Sequence, residues 1–510
     1  MYLERRLGRL ADAVTGRTWE SGEVRRQILR RASYYQRRGV TRGERVLLQL
    51  GNCPEFFADL LSVWLLGAQA VPVDARSTAF ELGKLVEAAE ARFTIVDDST
   101  ESQSAVGDGM TAMNAREAPS GDHGSLFLDG SLSMDDEALI LFTSGSTGEP
   151  KGVVHTHRSL WARWATLQAV LGVAAFERTL CMLPTNFGHG LICNCLFPWL
   201  AGCDLFIAPA FRTDVVMRLG RLLDAHRITF MSSVPALWNL ALRVSPPPAG
   251  GTLRRIHVGS APLSAALWRK VMDWSQAPEV HNAYGITETG SWTAGTTGRI
   301  EIPEDGLIGT PWGATLRICR ARTPGELAEA EECGANDEGT IWLSTPALMK
   351  GYFRRDDLTA AAVSRGWLMT GDIGVRDDAG RVFLRGRERD EINKGGMKVF
   401  PADVDAIAQD VEGVSDVCAF GIEDSVYGEN VALAVVLERA SPTNIRALYE
   451  RLSAHLAAHK RPVRWYLLEE IPRSSRGKID RRKVRDLCAP RAPLDLSDML
   501  KQGNGKKAIS

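Results

Sequence analysis

Apolar positions along this chain come in short blocks set between stretches of helical periodicity. Residues Glu23–Gly39 repeat their apolar side chains at helical spacing and end on a glycine, whereas Arg45–Leu50 is a brief apolar run that reads as a strand. Glu55–Leu66 returns to helical spacing with an aromatic and leucine face, and Ala70–Val73 is a second strand-like run. The same rhythm recurs at Glu137–Phe142, Thr179–Leu183, Asp204–Ile207, Thr229–Ser232 and Arg255–Val258. Alternation of this kind predicts an α/β architecture, with helices on the faces of parallel sheets. Residues 99–136 break the pattern: Ser, Gly and Asp dominate, large apolar side chains are few, and a long loop is expected.

The texture changes again in the last third. Thr340–Leu343, Gly374–Val375 and Arg381–Leu384 are short strand-like runs around Gly and Asp turns, which predicts a β-rich sub-domain ending near Gly386. Beyond the polar stretch Gly386–Arg389, a helix over Ala402–Val411, strands over Val414–Gly421 and Val431–Leu437 and a helix over Ser441–Leu456 make a small α+β unit. Residues 489–510, rich in Lys, Gly and Pro, read as a flexible tail.

Composition narrows the class. The chain has 510 residues, enough for two or more domains, and 61 Lys+Arg against 62 Asp+Glu leave it a formal charge of −1. A near-neutral chain offers no broad field for a polyanion, so no nucleic-acid partner is expected. Nine cysteines, an odd number without a CxxC pair, fit free thiols better than a zinc site or a disulfide framework. The opening MYLERRLGRL lacks an apolar core, and apolar stretches such as Leu60–Val73 are shorter than a membrane span, so a cytoplasmic protein is expected.

Four segments carry chemistry. Thr143-Ser-Gly-Ser-Thr-Gly-Glu-Pro-Lys-Gly152 follows an apolar strand and combines hydroxyls, glycines and one lysine, the ingredients of a phosphate cradle. Its spacing is not that of a Walker loop. Asn282-Ala-Tyr-Gly-Ile-Thr-Glu-Thr-Gly290 offers a flat aromatic face at Tyr284, a hydroxyl at Thr287 and a hard oxygen ligand at Glu288. The plain alternative there is a helix start capped by Thr287. Asp372, in Trp367-Leu-Met-Thr-Gly-Asp372, could simply close a turn. Pro472-Arg-Ser-Ser-Arg-Gly-Lys-Ile-Asp-Arg481 could be a solvated basic face.

In this order, the segments make the chain resemble the adenylate-forming superfamily of acyl-CoA synthetases, aryl-CoA ligases, adenylation domains and luciferases. The likeness spans nearly the whole chain. It implies a large N-terminal domain of parallel sheets with a small β-barrel sub-domain (1–386), followed by a smaller mobile C-terminal α+β lid (387–488). The reaction implied is ATP-dependent conversion of a carboxylic acid to acyl-AMP with release of pyrophosphate, then transfer to a thiol. The acceptor implied is CoA, with the phosphopantetheine of an acyl carrier protein as the alternative. A homologue that only binds nucleotide is the reading of another class. By the same resemblance Thr143, Ser144, Gly145, Ser146, Thr147, Gly148 and Lys151 hold phosphates, with Thr143 also counted as catalytic. Gly259, Ser260, Ala261, Asn282, Ala283, Tyr284 and Gly285 surround adenine, Thr287 meets the α-phosphate and Glu288 holds Mg²⁺. Asp372 and Arg387 take the ribose, and Lys478 is the catalytic cation, bridging attacking carboxylate and phosphate.

The resemblance also assigns the remaining parts of the cleft. Arg389 falls on the hinge position, where the family more often has Lys or Asp, and Lys394, Gly395 and Gly396 form the loop facing the thiol. Phe187 takes the acyl gate, with His189 two residues on. Val234, Trp238, Gly259 and the Gly290–Trp292 stretch complete the expected pocket, which suits an uncharged aryl or medium aliphatic acid better than an amino acid. His155 and His157 are expected only to decorate the segment after the phosphate loop.

Overall fold

The computed structural model describes residues 2–4, 6–77, 79–98, 110–117, 132–144, 150–210, 212–298, 302–321, 323–328, 330–387, 390, 392–394, 397–424, 428–439, 441–456, 458–474 and 477–496. Three sheets organise them, of fourteen, seven and five strands. The helices expected near the start lie at Ser21–Arg37 and Pro54–Leu65, flanking the parallel pair Arg45–Leu48 and Gln69–Pro72.

The large sheet positions the site. Its parallel part runs in the spatial order Arg255–Gly259, Phe230–Ser233, Arg178–Cys181, Asp204–Ile207. The chain leaves Arg178–Cys181 to one side and returns on the other, so a crevice opens at the carboxyl ends where the order reverses. Glu279–Ile286 joins in parallel, then Ser291–Gly295 and Leu307–Pro311 turn the sheet antiparallel. Through Leu307–Pro311 it continues into the β-rich sub-domain, whose strands are Val382–Arg387, Trp367–Arg376, Gly339–Ser344 and Thr315–Cys319.

The seven-stranded sheet packs against the large one across a shared core that includes Trp64, Trp164, Trp199, Trp292 and Trp312. Two of these indoles tie elements together: Trp64 donates to the Ala138 carbonyl at 2.6 Å and Trp164 to that of Ile192 at 3.0 Å. The lid is a five-stranded sheet with the helices Pro401–Gln409, Pro442–His455 and Arg481–Cys488. It touches the body through Arg243, which donates to Glu438 at 3.2 Å.

Two expectations need correction. The expected loop 99–136 contains the strand Thr111–Asn114, paired in parallel with Phe93–Val96 at the sheet edge. Met113 is its only fully buried residue, so an edge strand this short leaves no readable alternation. The described part of the expected tail also docks: the Leu494 N–H donates to the Trp465 carbonyl at 2.8 Å, and Leu494 and Leu496 pack on the lid core. Residues 497–510 lie outside the described set.

Candidate active site

Asp372 is the centre of one half of the cleft. It stands opposite Arg387 in an antiparallel pair, and the Arg387 Nε reaches its Oδ1 at 2.9 Å. The Tyr284 phenol donates to Oδ2 at 2.6 Å. Burial, with Asp372 beside it, pushes the Tyr284 hydroxyl well above its ordinary pKa, so it remains the donor. Asp372 draws Arg387 upward in turn, so the guanidinium stays charged. Only 2 % of Asp372 is exposed, and carboxylate, guanidinium and phenol are tied into one unit. Tyr284 can occupy this place because the strand bulges at Tyr284/Gly285. A Cβ on Gly285 would sit 1.8 Å from the Ser291 carbonyl oxygen, so only glycine fits. Asn282 is inside the sheet, its amide donating to the Leu307 carbonyl at 2.7 Å, and Ala283 is buried beside it.

Thr287 and Glu288 ride on a single 3₁₀ turn, Thr287–Thr289, rather than at the start of a longer helix. Every carbonyl of Thr287–Gly290 is held from behind. His155 Nε2 lies 2.8 Å from the Thr287 oxygen, the Met349 N–H donates to that of Glu288 at 2.7 Å, and Cys193 reaches that of Gly290 at 3.3 Å. Arg163 NH2 donates to the Thr289 carbonyl at 2.9 Å, to Thr345 Oγ1 at 3.2 Å, and its NH1 to the Trp312 carbonyl at 2.9 Å. With the backbone so anchored, the turn's side chains project from a fixed base. On the front, the Tyr352 hydroxyl donates to Glu288 Oε1 at 2.8 Å.

The buried cation and histidine behind this turn respond to burial. Arg163 is fully buried, which lowers it to about 10, still charged at neutral pH. Burial lowers His155 to about 4, so it is neutral there. Its Nε2 must then carry the proton to serve the Thr287 carbonyl, and its Nδ1 accepts from Ser159 at 3.2 Å. His155 thus supports the turn rather than decorating a loop. His157 is also structural, its Nδ1 2.6 Å from the Tyr2 hydroxyl.

The phosphate segment forms a hairpin, with Thr143 opposite Lys151 and the Thr143 hydroxyl donating to the Lys151 carbonyl at 3.4 Å. Gly145, Ser146, Thr147 and Gly148, and the side chain of Ser144, lie outside the described residues; so do Arg389, Gly395 and Gly396. Lys394 is described, buried at the end of Ile392–Lys394.

The other half of the cleft is neutral. Phe187 and His189 stand 6.0 Å apart, ring centre to ring centre, where the π-helical segment His189–Leu196 begins. His189 Nδ1 lies 2.6 Å from Ser260 Oγ and Nε2 2.5 Å from Ser232 Oγ, so each ring nitrogen faces a hydroxyl. Burial, with the Lys478 cation adding to it, lowers His189 to about 3. Lys478 itself is exposed, yet its loop rests on the body: a Cβ on Gly477 would lie 3.8 Å from that of Ala236. Val234 and Trp238 pack in the second core, the Trp238 indole donating to Ser233 at 2.7 Å. Arg163, His155, Tyr352, Ser232 and Cys193 carry no motif signal; they gain their roles only by converging from distant segments.

Among the described residues no group of three or more His, Cys, Asp or Glu could hold a metal ion. A lone carboxylate on an anchored turn fits an ion that arrives with substrate phosphates, as Mg²⁺ does. No helix among the described residues is long and apolar enough to cross a membrane.

Residues 5–353 match the AMP-binding enzyme family, and residues 403–478 match the AMP-binding enzyme C-terminal domain. The chain is 29% identical over 477 residues to the long-chain-fatty-acid–CoA ligase FadD13 of Mycobacterium tuberculosis, covering 89% of this chain and 90% of that protein. It is 27% identical over 469 residues to a 2-succinylbenzoate–CoA ligase of Geobacillus sp., covering 91% and 92%. The ATP-bound MatB of Rhodopseudomonas palustris superposes with a TM-score of 0.84 over 95% of this chain and 96% of that one, at 24% identity, which shows the common fold.

Proposed function

The chain belongs to the AMP-binding enzyme family, and on that footing we propose that it activates a carboxylic acid with ATP and passes the acyl group to CoA. The observation that carries this reading is the unit of buried Asp372 and Tyr284 with half-buried Arg387, beside the anchored turn that bears Glu288. Asp372 presents acceptors to the ribose hydroxyls, and Arg387 holds it from the neighbouring strand. Thr287 and the Thr143–Lys151 hairpin face the phosphates. Glu288 would hold Mg²⁺, which would supply neutralisation of the phosphate charge. Lys478 offsets the repulsion between the incoming carboxylate and the α-phosphate, both anionic, as acyl-AMP forms and pyrophosphate leaves.

His189, held neutral between two serines, leaves Lys478 as the cation on the acyl side. The lid then turns about Arg389, withdraws Lys478 and presents Lys394, Gly395 and Gly396 to the thiol. Relatives with CoA-ligase activity support CoA as the acceptor. The test is pyrophosphate release across a panel of acids, with and without CoA, followed by detection of the thioester. Acyl-AMP formation without a CoA thioester, together with the mass shift of a phosphopantetheinylated carrier protein, would transfer the second step to that carrier.

A further inference from the structure

Resting on the adenylation reading and deepening it, we propose that the acid is a short aliphatic one with an uncharged tail, because Trp292 closes the acyl crevice directly behind His189. The crevice lies at the strand-order reversal between Arg178–Cys181 and Phe230–Ser233. Asn194 keeps those strands apart: its Oδ1 accepts from the Ser232 N–H at 3.1 Å and its Nδ2 donates to the Leu180 carbonyl at 3.4 Å. Their last pairing is Met231 with Leu180. Phe187 and His189 form one wall, and Gly259 faces them. A Cβ on Gly259 would come 3.4 Å from His189 Cε1 and 2.3 Å from the Ala283 carbonyl oxygen.

Depth beyond His189 is occupied by rings. Trp292 meets His189 edge-on at 5.6 Å between centroids. His257 lies 4.5 Å behind Trp292, and Trp312 5.4 Å from His257. All three are buried to 1% exposure or less. Gly290 and Ser291 both take left-handed backbone, φ 70° and 76°, just before Trp292. Serine adopts that conformation at a cost, which the surrounding packing must hold in place. A long alkyl chain would have to displace this plug, and close-packed interiors resist displacement. The plug also offers an alkyl chain poor company, since both His257 ring nitrogens and the Trp292 and Trp312 indole N–H groups have no hydrogen-bond partner among the described residues.

The wall chemistry excludes a charged tail. His189 faces hydroxyls at both nitrogens, and Arg163 commits its donors to the Thr289 and Trp312 carbonyls and to Thr345. A second carboxylate would be buried without a counter-charge, which costs far more than a methyl group gains. This narrows the expectation of an aryl or medium aliphatic acid to its small end.

The test is pyrophosphate release with ATP and Mg²⁺ over straight-chain acids from acetate to decanoate, with benzoate and succinate alongside. The highest kcat/KM should fall at butanoate or shorter, with octanoate lower by at least about tenfold. Trp292→Ala should raise octanoate relative to acetate by about tenfold or more, and Trp292→Leu, which keeps the core apolar, should shift the profile the same way by less. A wild-type optimum at octanoate or longer, at benzoate or at succinate overturns the proposal, as does an unchanged profile in both variants. Release from no acid at all removes the adenylation reading itself, and the size inference with it.

Discussion

On one side of the Thr287–Gly290 turn stand the ionisable side chains of Asp372, Arg387 and Glu288, each with a specific partner at 2.6 to 2.9 Å. On the other side, His189, Ser232, Ser260 and Trp292 line the crevice without charge. The two halves meet different demands. Nucleotide phosphates and ribose need fixed charges and directed hydrogen bonds, whereas the acyl tail is selected by shape and by the absence of charge. Lys478, brought from the lid, is the cation placed where the two halves join.

Substitutions can break this division, and the largest effect should come at the junction. Lys478→Ala should lower acid-dependent pyrophosphate release by a factor of about 10² to 10³ while sparing thioester formation from supplied acyl-AMP. Equal loss of both half-reactions would dissolve the assignment of Lys478 to the first step. Arg163→Met should follow, leaving buried carbonyls of Thr289 and Trp312 unpaired at a cost of about 3 kcal/mol in denaturant unfolding. Arg163→Lys keeps the charge but loses the fork, so its signature is a higher Mg²⁺ requirement with acid KM unchanged. Asp372→Ala should raise the ATP KM by about tenfold to a hundredfold and leave acid selectivity intact. If acid preference moves as well, the two halves are coupled and the division fails.

Acidity probes the buried histidines on both sides. His155, His157 and His189 are lowered by burial to about 4, 4 and 3, below the ordinary value of 6.5. The unfolded chain therefore binds protons first as pH falls. Their stabilising contribution is complete above about 6.5 and is lost progressively towards the folded values, at roughly 1.4 kcal/mol per pH unit for each histidine. Thermal unfolding followed from pH 7 to pH 4 should show this decline, and a flat profile above pH 5 would contradict the neutral assignment. The smallest effect belongs to Ser232→Ala, which removes one of the hydroxyls facing His189. It should cost about 1 kcal/mol and show in the acid KM, with the ATP KM unmoved.

The motifs that mark the family were legible because they consist of charged and hydroxyl residues in fixed local order, and local order is what a chain displays. Thr143, Glu288, Asp372 and Lys478 could each be named from a contiguous run. The supports of those runs could not. Arg163 sits on the helix His157–Leu171 between Trp161 and Trp164, and nothing in that local run announces that the Thr289 carbonyl comes to meet it across 126 positions. His155 was underestimated for the same reason, since its partner Thr287 is 132 positions away. The edge strand Thr111–Asn114 was hidden by its polarity.

What the sequence determined by itself was the alternation of strands and helices, a large α/β part followed by a smaller α+β domain, and the ordered motifs that mark the family. Periodicity is a local property, and an α/β body follows from it because alternating strands and helices bury their apolar faces only as layers. The tertiary structure alone decided how far the acyl crevice extends. That depth depends on Trp292, His257 and Trp312, distant in the chain, meeting behind His189. Packing between remote side chains is set by where the sheets place them, and no short run of sequence carries that distance.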